Sequence, residues 1–383
     1  MAAVHDVGGG PGATRLDVGA AAPGRRQRAR VPVLALGMLS LLGALAGGLA
    51  RLGWGWPVPS SLVAFHGPLM VSGFLGTVIA LERAVALGRH WAYAAPAACG
   101  LGALALAAGA PGGAWLMTLG SVVTVVIFAA LLRRQMAPFT VVIALGTIAW
   151  VVGQTAWVLG APVHRMLPWW AGFLVLTIAG ERLELTRLVR LGASARAAFL
   201  VAVGVLVAGL VLAWPQPDHG MRLTGAAWIA LAAWLGTFDI ARRTARMPGL
   251  PRFIALALLA GYGWLGVAGV LAVSSGAVAA GPPYDAIVHA LFVGFAFSMI
   301  FGHAPIIFPA VLGVGIPYRP SFYVHLGLLH GSLALRILAD LAGWDAGRRW
   351  GGLVNALAIL LFLASTAASA LGSRRGRAAP AGS

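Results

Sequence analysis

Apolar residues run along this chain in long stretches that are separated by short polar segments. Most stretches are about 20 residues or longer, which is the length that an α-helix needs to cross the ~30 Å hydrocarbon core of a membrane. The pattern therefore predicts an all-α fold, a polytopic bundle of about twelve transmembrane helices. The predicted spans are 32–50, 62–82, 92–110, 114–132, 138–160, 168–188, 195–213, 221–241, 253–278, 285–312, 321–341 and 350–371.

The spans form one transmembrane domain, residues 32–371. Residues 1–31 are rich in Gly, Ala and Arg and have no apolar core, so we expect a disordered cytoplasmic tail there. No cleavable signal peptide is expected, because arginines lead directly into the first span without an earlier apolar segment. Residues 372–383 form a second, shorter cytoplasmic tail.

Composition and charge agree with a membrane protein. Sixty per cent of the residues are apolar and only 10% are charged, against about a quarter in soluble domains. All 27 cations are arginines, and 21 of them fall on the side that holds both termini, which predicts that this side is cytoplasmic. The arginines lie at the ends of apolar runs and form no stripe with aromatic residues, so nucleic acid is not an expected partner. The single cysteine, Cys99, excludes an intramolecular disulfide framework.

One phrase occurs twice in the even-numbered spans. Gly73-Phe74-Leu75, Ile79-Ala80 and Glu82-Arg83 return 99 residues later as Gly172-Phe173-Leu174, Ile178-Ala179 and Glu181-Arg182, and a weaker copy leads from Gly294-Phe295 to Ile300 and His303. The copies lie four spans apart, which predicts three four-helix units, roughly 32–133, 138–242 and 252–371, with spans two, six and ten at a shared centre. Glycines would let these three helices approach closely; they are Gly73, Gly76, Gly172, Gly180, Gly294 and Gly302.

Histidines at membrane depth are functional candidates, because an ionisable side chain is costly there unless it is paired or bound. His66 and His289 both lie near the outer start of a span that runs inward, so we expect them at a similar depth. Two neutral imidazoles from facing helices can bind a haem iron from both sides within a bundle. The sequence therefore predicts a haem b site with these two ligands. The alternative is two separate hydrogen bonds between helices.

A second polar group is predicted at the inner ends of the spans, and its members are Glu82, Glu181, His303 and His325. Two carboxylates and two imidazoles suit a first-row metal such as copper, iron or zinc. They would also serve as a proton relay, and a cluster neutralised by arginine is the third interpretation. His66 and Glu82 lie about 160° apart on an unbroken helix. Either they face different neighbours or a change of helical phase near Pro68 brings them together.

Twelve spans, with histidines on spans two and ten at the outer side, resemble the architecture of haem–copper oxidase subunit I. The chain has no adjacent histidine pair in span seven, so the copper and oxygen-reducing centre of that family is not expected. A closer resemblance is to the NnrS family of haem- and copper-containing membrane proteins. Its members have a histidine phrase followed by Gly-Phe, similar to residues 66–74, and a later His-Ala-Leu phrase with Gly-His, like 289–291 and 302–303. Pro68 and Leu69 stand where that family has a second histidine and a glutamate.

The resemblance implies a haem-binding protein of the bacterial inner membrane with a role in redox chemistry, gas sensing or the response to nitric oxide. Its partners would be the lipid bilayer, a small gas ligand and a redox partner. The alternative is a proton-coupled secondary transporter, which would use Glu82, Glu181 and His303 as a relay. In that case the two outer histidines would have no evident role.

Overall fold

Helices account for nearly all the ordered structure. The computed structural model describes residues 27, 29–186 and 191–378, with the backbone alone from residue 372 onward, and these residues contain no β-strand. Twelve long helices follow one another through the described residues. They are α1 (Val31–Arg51), α2 (His66–Leu87), α3 (Ala94–Ala107), α4 (Gly112–Arg134), α5 (Pro138–Val158), α6 (Val163–Leu185), α7 (Ala193–Leu212), α8 (Pro217–Phe238), α9 (Leu250–Ser275), α10 (Pro282–Leu312), α11 (Phe322–Ala342) and α12 (Asp345–Ala378).

Each predicted span coincides with one of these helices. Nine of the helices in the described residues are long and apolar enough to cross a membrane, so the chain is a multi-pass membrane protein. The other three are α3, which has only 14 residues, and α6 and α8, which are diluted by polar and charged side chains. We call the side at which α2, α6 and α10 end the inner side, in keeping with the predicted orientation.

The two predicted tails lie largely outside the described residues. Near the end of the first tail, the Arg30 guanidinium donates hydrogen bonds to the Tyr93 hydroxyl at 3.0 Å and to the Val311 carbonyl at 2.8 Å. In the second tail, α12 continues as far as Ala378, seven residues beyond the predicted end of the last span. Residues 379–383 are not described.

Proline and glycine mark several helix ends. Proline occupies the first turn of α1, α5, α8, α9 and α10, where its missing N–H has no helical partner to lose. Gly88 ends α2 with φ of 70° and Gly313 ends α10 with φ of 67°, a conformation that side chains with a Cβ rarely adopt. These ends fix where the chain turns back into the bundle.

The two helices with the outer histidines each contain a π-helical segment, Leu69–Gly76 in α2 and Ala290–Phe297 in α10. The two segments begin at the same point of the repeated phrase, since the glycine of the phrase, Gly73 or Gly294, is the fifth residue of its π segment. The hydroxyl that follows each segment donates back to this glycine's carbonyl, from Thr77 at 2.7 Å and from Ser298. A π turn needs more residues per rotation than an α turn. The π segment in α2 therefore reduces the angle between His66 and Glu82 around the helix axis below the roughly 160° expected for an unbroken α-helix.

Helices α2, α6 and α10 meet, as the repeat predicts. The rings of Phe74 on α2 and Phe297 on α10 stack with centroids 5.9 Å apart. Arg83 on α2 contacts Glu181 on α6. The Arg182 guanidinium on α6 lies 3.3 Å from Nε2 of His303 on α10. The residues that join the three helices thus come from the three copies of the phrase or lie close to them.

The glycines of these helices do not contact one another, which corrects the expectation that they let α2, α6 and α10 approach. A Cβ at Gly76 would lie 2.4 Å from Trp150 on α5, and one at Gly172 would lie 2.5 Å from Leu210 on α7. A Cβ at Gly294 would lie 2.5 Å from Trp264 on α9. The glycines therefore admit large side chains of the surrounding helices, while long side chains fill the space between the three central helices.

Candidate functional site

His66 is the first residue of α2, directly after a break at Phe65 that separates α2 from the short helix Ser60–Ala64. Its Nδ1–H donates to the Ala44 carbonyl of α1 at 2.6 Å. A Cβ at Gly48 would lie 2.7 Å from Cε1 of the ring, so only a glycine leaves room for the imidazole. This hydrogen bond fixes the ring and its tautomer, and leaves the lone pair of Nε2 free to bind a ligand.

His289 is held in a similar way at the outer end of α10. Its Nδ1–H donates to the Asp285 carbonyl one turn earlier at 2.8 Å, and the Asp285 carboxylate lies 3.3 Å from the same nitrogen. Arg336 on α11 binds both oxygens of that carboxylate at 2.8 Å. A carboxylate beside Nδ1 raises the basicity of the imidazole and orients it as a ligand through Nε2.

The stacked rings of Phe74 and Phe297 give a common reference point for the depth of the two histidines. Phe74 lies eight residues after His66, and Phe297 lies eight residues after His289. Helices α2 and α10 run in the same direction, and each enters a π segment between its histidine and its phenylalanine. Because each histidine lies eight residues before the same ring contact, we infer that the two imidazoles lie at about the same level. No described residue hydrogen-bonds Nε2 of either ring.

One buried polar side chain near this level has no hydrogen-bond partner among the described residues. Gln154 on α5 is fully buried, yet neither its amide oxygen nor its amide nitrogen has a partner among the described residues. It lies one turn outward from Trp150, whose indole N–H donates to Ser72 of α2 at 2.9 Å. A buried amide with no partner is costly and indicates a missing polar group. Two free imidazole nitrogens and an unpaired amide therefore fit a haem.

At the inner end, Glu82 and Glu181 converge on one guanidinium. The Arg83 NH2 group lies 3.0 Å from Glu82 and contacts Glu181. The two carboxylates are 30% and 26% exposed, so water reaches them. The structure thus brings together two of the four residues predicted as metal ligands, and a cation already lies between them.

His303 belongs to a separate, buried network around Arg182. Arg182 binds both oxygens of Asp239 at 2.7 and 2.8 Å, and Tyr262 donates to the same carboxylate at 3.1 Å. The remaining nitrogen of Arg182 donates to Nε2 of His303 at 3.3 Å, while Nδ1–H of His303 donates to the Met299 carbonyl at 2.8 Å. Both ring nitrogens are therefore occupied, which leaves His303 without a lone pair for a metal.

His325 lies apart from both groups. It is 1% exposed and is surrounded by the rings of Phe253, Phe301, Phe322 and Phe362, with centroids 5.0–6.2 Å from its own. Its Nδ1 is 3.4 Å from the Ser365 hydroxyl. Within the described residues no group of three or more His, Cys, Asp or Glu is placed to hold a metal ion. The geometry of Glu82, Glu181, His303 and His325 thus favours arginine-neutralised clusters over a copper site.

Several residues that support His289 or belong to the network around Arg182 were not predicted from the sequence. Asp285 and Arg336 support His289, and Asp239 and Tyr262 complete the inner network. The position of Asp285, four residues before His289, was a usable signal because residues four apart share a helix face. The pairing of Arg182 with Asp239 had no such signal, since 57 residues separate the partners.

Comparison with known proteins gives one result. A family model described as Domain of unknown function (DUF8744) matches residues 30–371. The chain belongs to this family. The match to DUF8744 includes His66, His289 and the whole inner network, so these features lie within the family's own domain. No curated protein and no solved structure matches the chain.

Proposed function

We propose that this DUF8744 protein is a haem-binding protein of the bacterial inner membrane, with twelve crossings and both termini in the cytoplasm. The observation that supports it best is the equal spacing of His66 and His289 from the stacked pair Phe74 and Phe297. Each imidazole has Nδ1 bonded to a carbonyl, so Nε2 of each is the atom that would bind iron. A bound haem b would supply one-electron chemistry.

The chain's own residues would perform three tasks around such a group. Ala44 and Asp285 hold the two rings in the tautomer that a metal requires. Arg336 holds the Asp285 carboxylate, and thereby the negative charge beside His289. Phe74 and Phe297, which are buried between α2 and α10, would shield such a group from water on its inner side.

The role that we propose is in redox chemistry, gas sensing or the response to nitric oxide, with a small gas or a redox protein as partner. Two features support it: the resemblance of residues 66–74 and 289–303 to the NnrS family, and the free Nε2 of both His66 and His289, since a haem with two imidazole ligands suits electron transfer. The copper that the NnrS family contains has no counterpart in the geometry of the inner clusters. We therefore propose the haem without a second metal.

The experiment is to purify the full-length protein in detergent from haem-replete cells and to measure its iron content and haem type. We expect haem b, and less than a tenth of the wild-type haem in the His66→Ala and His289→Ala variants. His325→Phe is the matched control, because this histidine is also buried but lies within a cage of phenylalanines. A colourless wild-type protein, or equal haem loss in all three variants, would refute the proposal.

A second candidate is a proton-coupled secondary transporter. The partly exposed carboxylates of Glu82 and Glu181 around Arg83 favour it, because water and protons reach them from the inner side. Transport by reconstituted vesicles that contain no iron, lost in Glu82→Gln, would support this function and exclude the haem protein. Bound haem without a pH-dependent flux would exclude the transporter.

A further inference from the structure

A cavity of about 400 Å³ opens between the inner ends of α7 and α8. Its walls include Gly192, which precedes α7, and Thr237 and Asp239 at the end of α8. The remaining wall is the short helix Ala241–Thr244 with its continuation, and it contributes three arginines, Arg242, Arg243 and Arg246. The cavity lies at the inner side, at the opposite ends of the helices from the outer histidines, and shares only Asp239 with the buried network around Arg182.

The positive charge of this cavity is not compensated. Among the described residues, Asp239 is the only acidic residue of the wall, and both oxygens of that carboxylate are already bound by Arg182, with further hydrogen bonds from Tyr262 and the Ala241 amide. Arg242 donates one hydrogen bond, to the Thr237 carbonyl at 3.3 Å. Among the described residues, Arg243 and Arg246 have no ion-pair partner. Within the part of the chain that the structure describes, three arginines therefore line one cavity that has no free carboxylate.

One further feature favours an anion. The 20-residue helix α7 begins at the cavity wall, and the partial positive charge of a helix N-terminus adds to that of the arginines. A surplus of arginine on the inner side orients a membrane protein whether or not the side chains line a cavity. Arg89 and Arg133 on the same side are exposed and do not line this cavity.

We propose that this cavity binds a phosphate group. Guanidinium groups form paired, charge-assisted hydrogen bonds with phosphate oxygens, and three arginines match one or two negative charges. Basic pockets at the inner ends of membrane helices are suited to the headgroups of anionic phospholipids. A free phosphate ion offers the same oxygens. The phosphate is bound by the side chains of Arg242, Arg243 and Arg246, in contact with the start of α7.

The test compares two double variants with the same change in net charge. Arg243→Gln/Arg246→Gln removes the two unpaired arginines of the cavity, and Arg89→Gln/Arg133→Gln removes two arginines of the same side. Full-length protein in nanodiscs of neutral lipid is titrated with phosphatidylglycerol, and in a second arm with inorganic phosphate, while bound lipid and unfolding temperature are measured. We expect binding at least about tenfold weaker in the cavity variant and unchanged in the control.

The arms distinguish the source of the phosphate. Binding and thermal protection by phosphatidylglycerol alone identify a lipid headgroup as the ligand. Protection by inorganic phosphate as well shows that the phosphate group itself is sufficient. Either result supports the proposal if the cavity variant loses the binding and the protection. Equal loss in both double variants shows general attraction to a basic surface and overturns the proposal. No binding by the wild-type protein in either arm also overturns it. Both variants change exposed side chains, and equal elution on gel filtration confirms that they are folded.

Discussion

Arg83 on α2 contacts Glu181 on α6, so the arginine of the first Glu-Arg pair binds the glutamate of the second. The second arginine, Arg182, reaches His303, which stands in the glutamate's place in the third copy of the phrase. Each copy therefore binds the next one. The repeated phrase thus supplies the polar contacts where the three helices meet inside the membrane, while the charge of Arg182 is balanced by Asp239 of α8.

Removing Arg83 leaves two glutamates facing each other without a cation. We expect Arg83→Gln to lower the free energy of unfolding by about 1–3 kcal/mol, because both carboxylates are mostly buried. The double variant Arg83→Gln/Glu181→Gln should be more stable than Arg83→Gln alone, since it removes one of the unpaired charges. Thermal unfolding in detergent measures both. Additive losses would show that the two side chains are not coupled.

The pair of Arg182 and Asp239 is more deeply buried, at 3% and 0% side-chain exposure. Asp239→Asn leaves a buried guanidinium without its counter-ion, for which we expect a loss of about 3–5 kcal/mol in stability. Asp345→Asn is a suitable control, because Asp345 also pairs with an arginine but is 84% exposed. Its substitution should change stability by less than about 0.5 kcal/mol. Equal effects at the two positions would contradict the geometry of the inner network.

Replacement of His325 by phenylalanine should be tolerated. The ring lies among four phenylalanines, and its Nε2 is buried without a partner in the described residues. An apolar ring of similar shape removes an unsatisfied polar atom, which is often neutral or stabilising. We expect an unfolding temperature equal to or above that of the wild type. A strong decrease would mean that His325 has a polar partner essential to the fold.

In the proposed haem site, the Asp285 carboxylate should tune the iron that His289 would bind. Asp285→Asn removes the negative charge beside Nδ1 and leaves the positive charge of Arg336 uncompensated. Both changes favour the reduced iron, so we expect a higher midpoint potential with haem retained. A redox titration followed optically measures it, and Asp218→Asn, at an exposed site of the outer side, is the control. An unchanged potential in Asp285→Asn would contradict the role of this carboxylate.

Orientation can be tested with the two glutamines of exposed loops. Gln135 lies between α4 and α5 on the inner side, and Gln216 lies between α7 and α8 on the outer side. In a Cys99→Ser background, Gln135→Cys should react with a membrane-impermeant thiol reagent only after the cells are opened. Gln216→Cys should react in intact spheroplasts. Reaction of both residues from the same side would contradict twelve crossings with the termini inside.

Apolar stretches and the repeated phrase were enough to predict the twelve helices and which three of them meet. A change of phase near Pro68 was one of two alternatives that the sequence left open, but the extent of the π segment after His66 and the presence of a second one at Ala290–Phe297 could not be predicted, because a widened turn depends on the packing around it. The same limit applies to the inner residues. Local sequence placed His303 near the carboxylates, but the fold brought Arg182 to its free nitrogen from 121 residues away.

The central claim is that His66 and His289 bind the same iron, and the coordination state of the ferric protein tests it most directly. Electron paramagnetic resonance of the oxidised wild-type protein should show a low-spin haem with two imidazole ligands. Substitution of either histidine by alanine should abolish that signal, leaving five-coordinate, high-spin haem or none, while His325→Phe retains it. A wild-type protein without this signal, or one whose signal survives the loss of either histidine, would contradict the account.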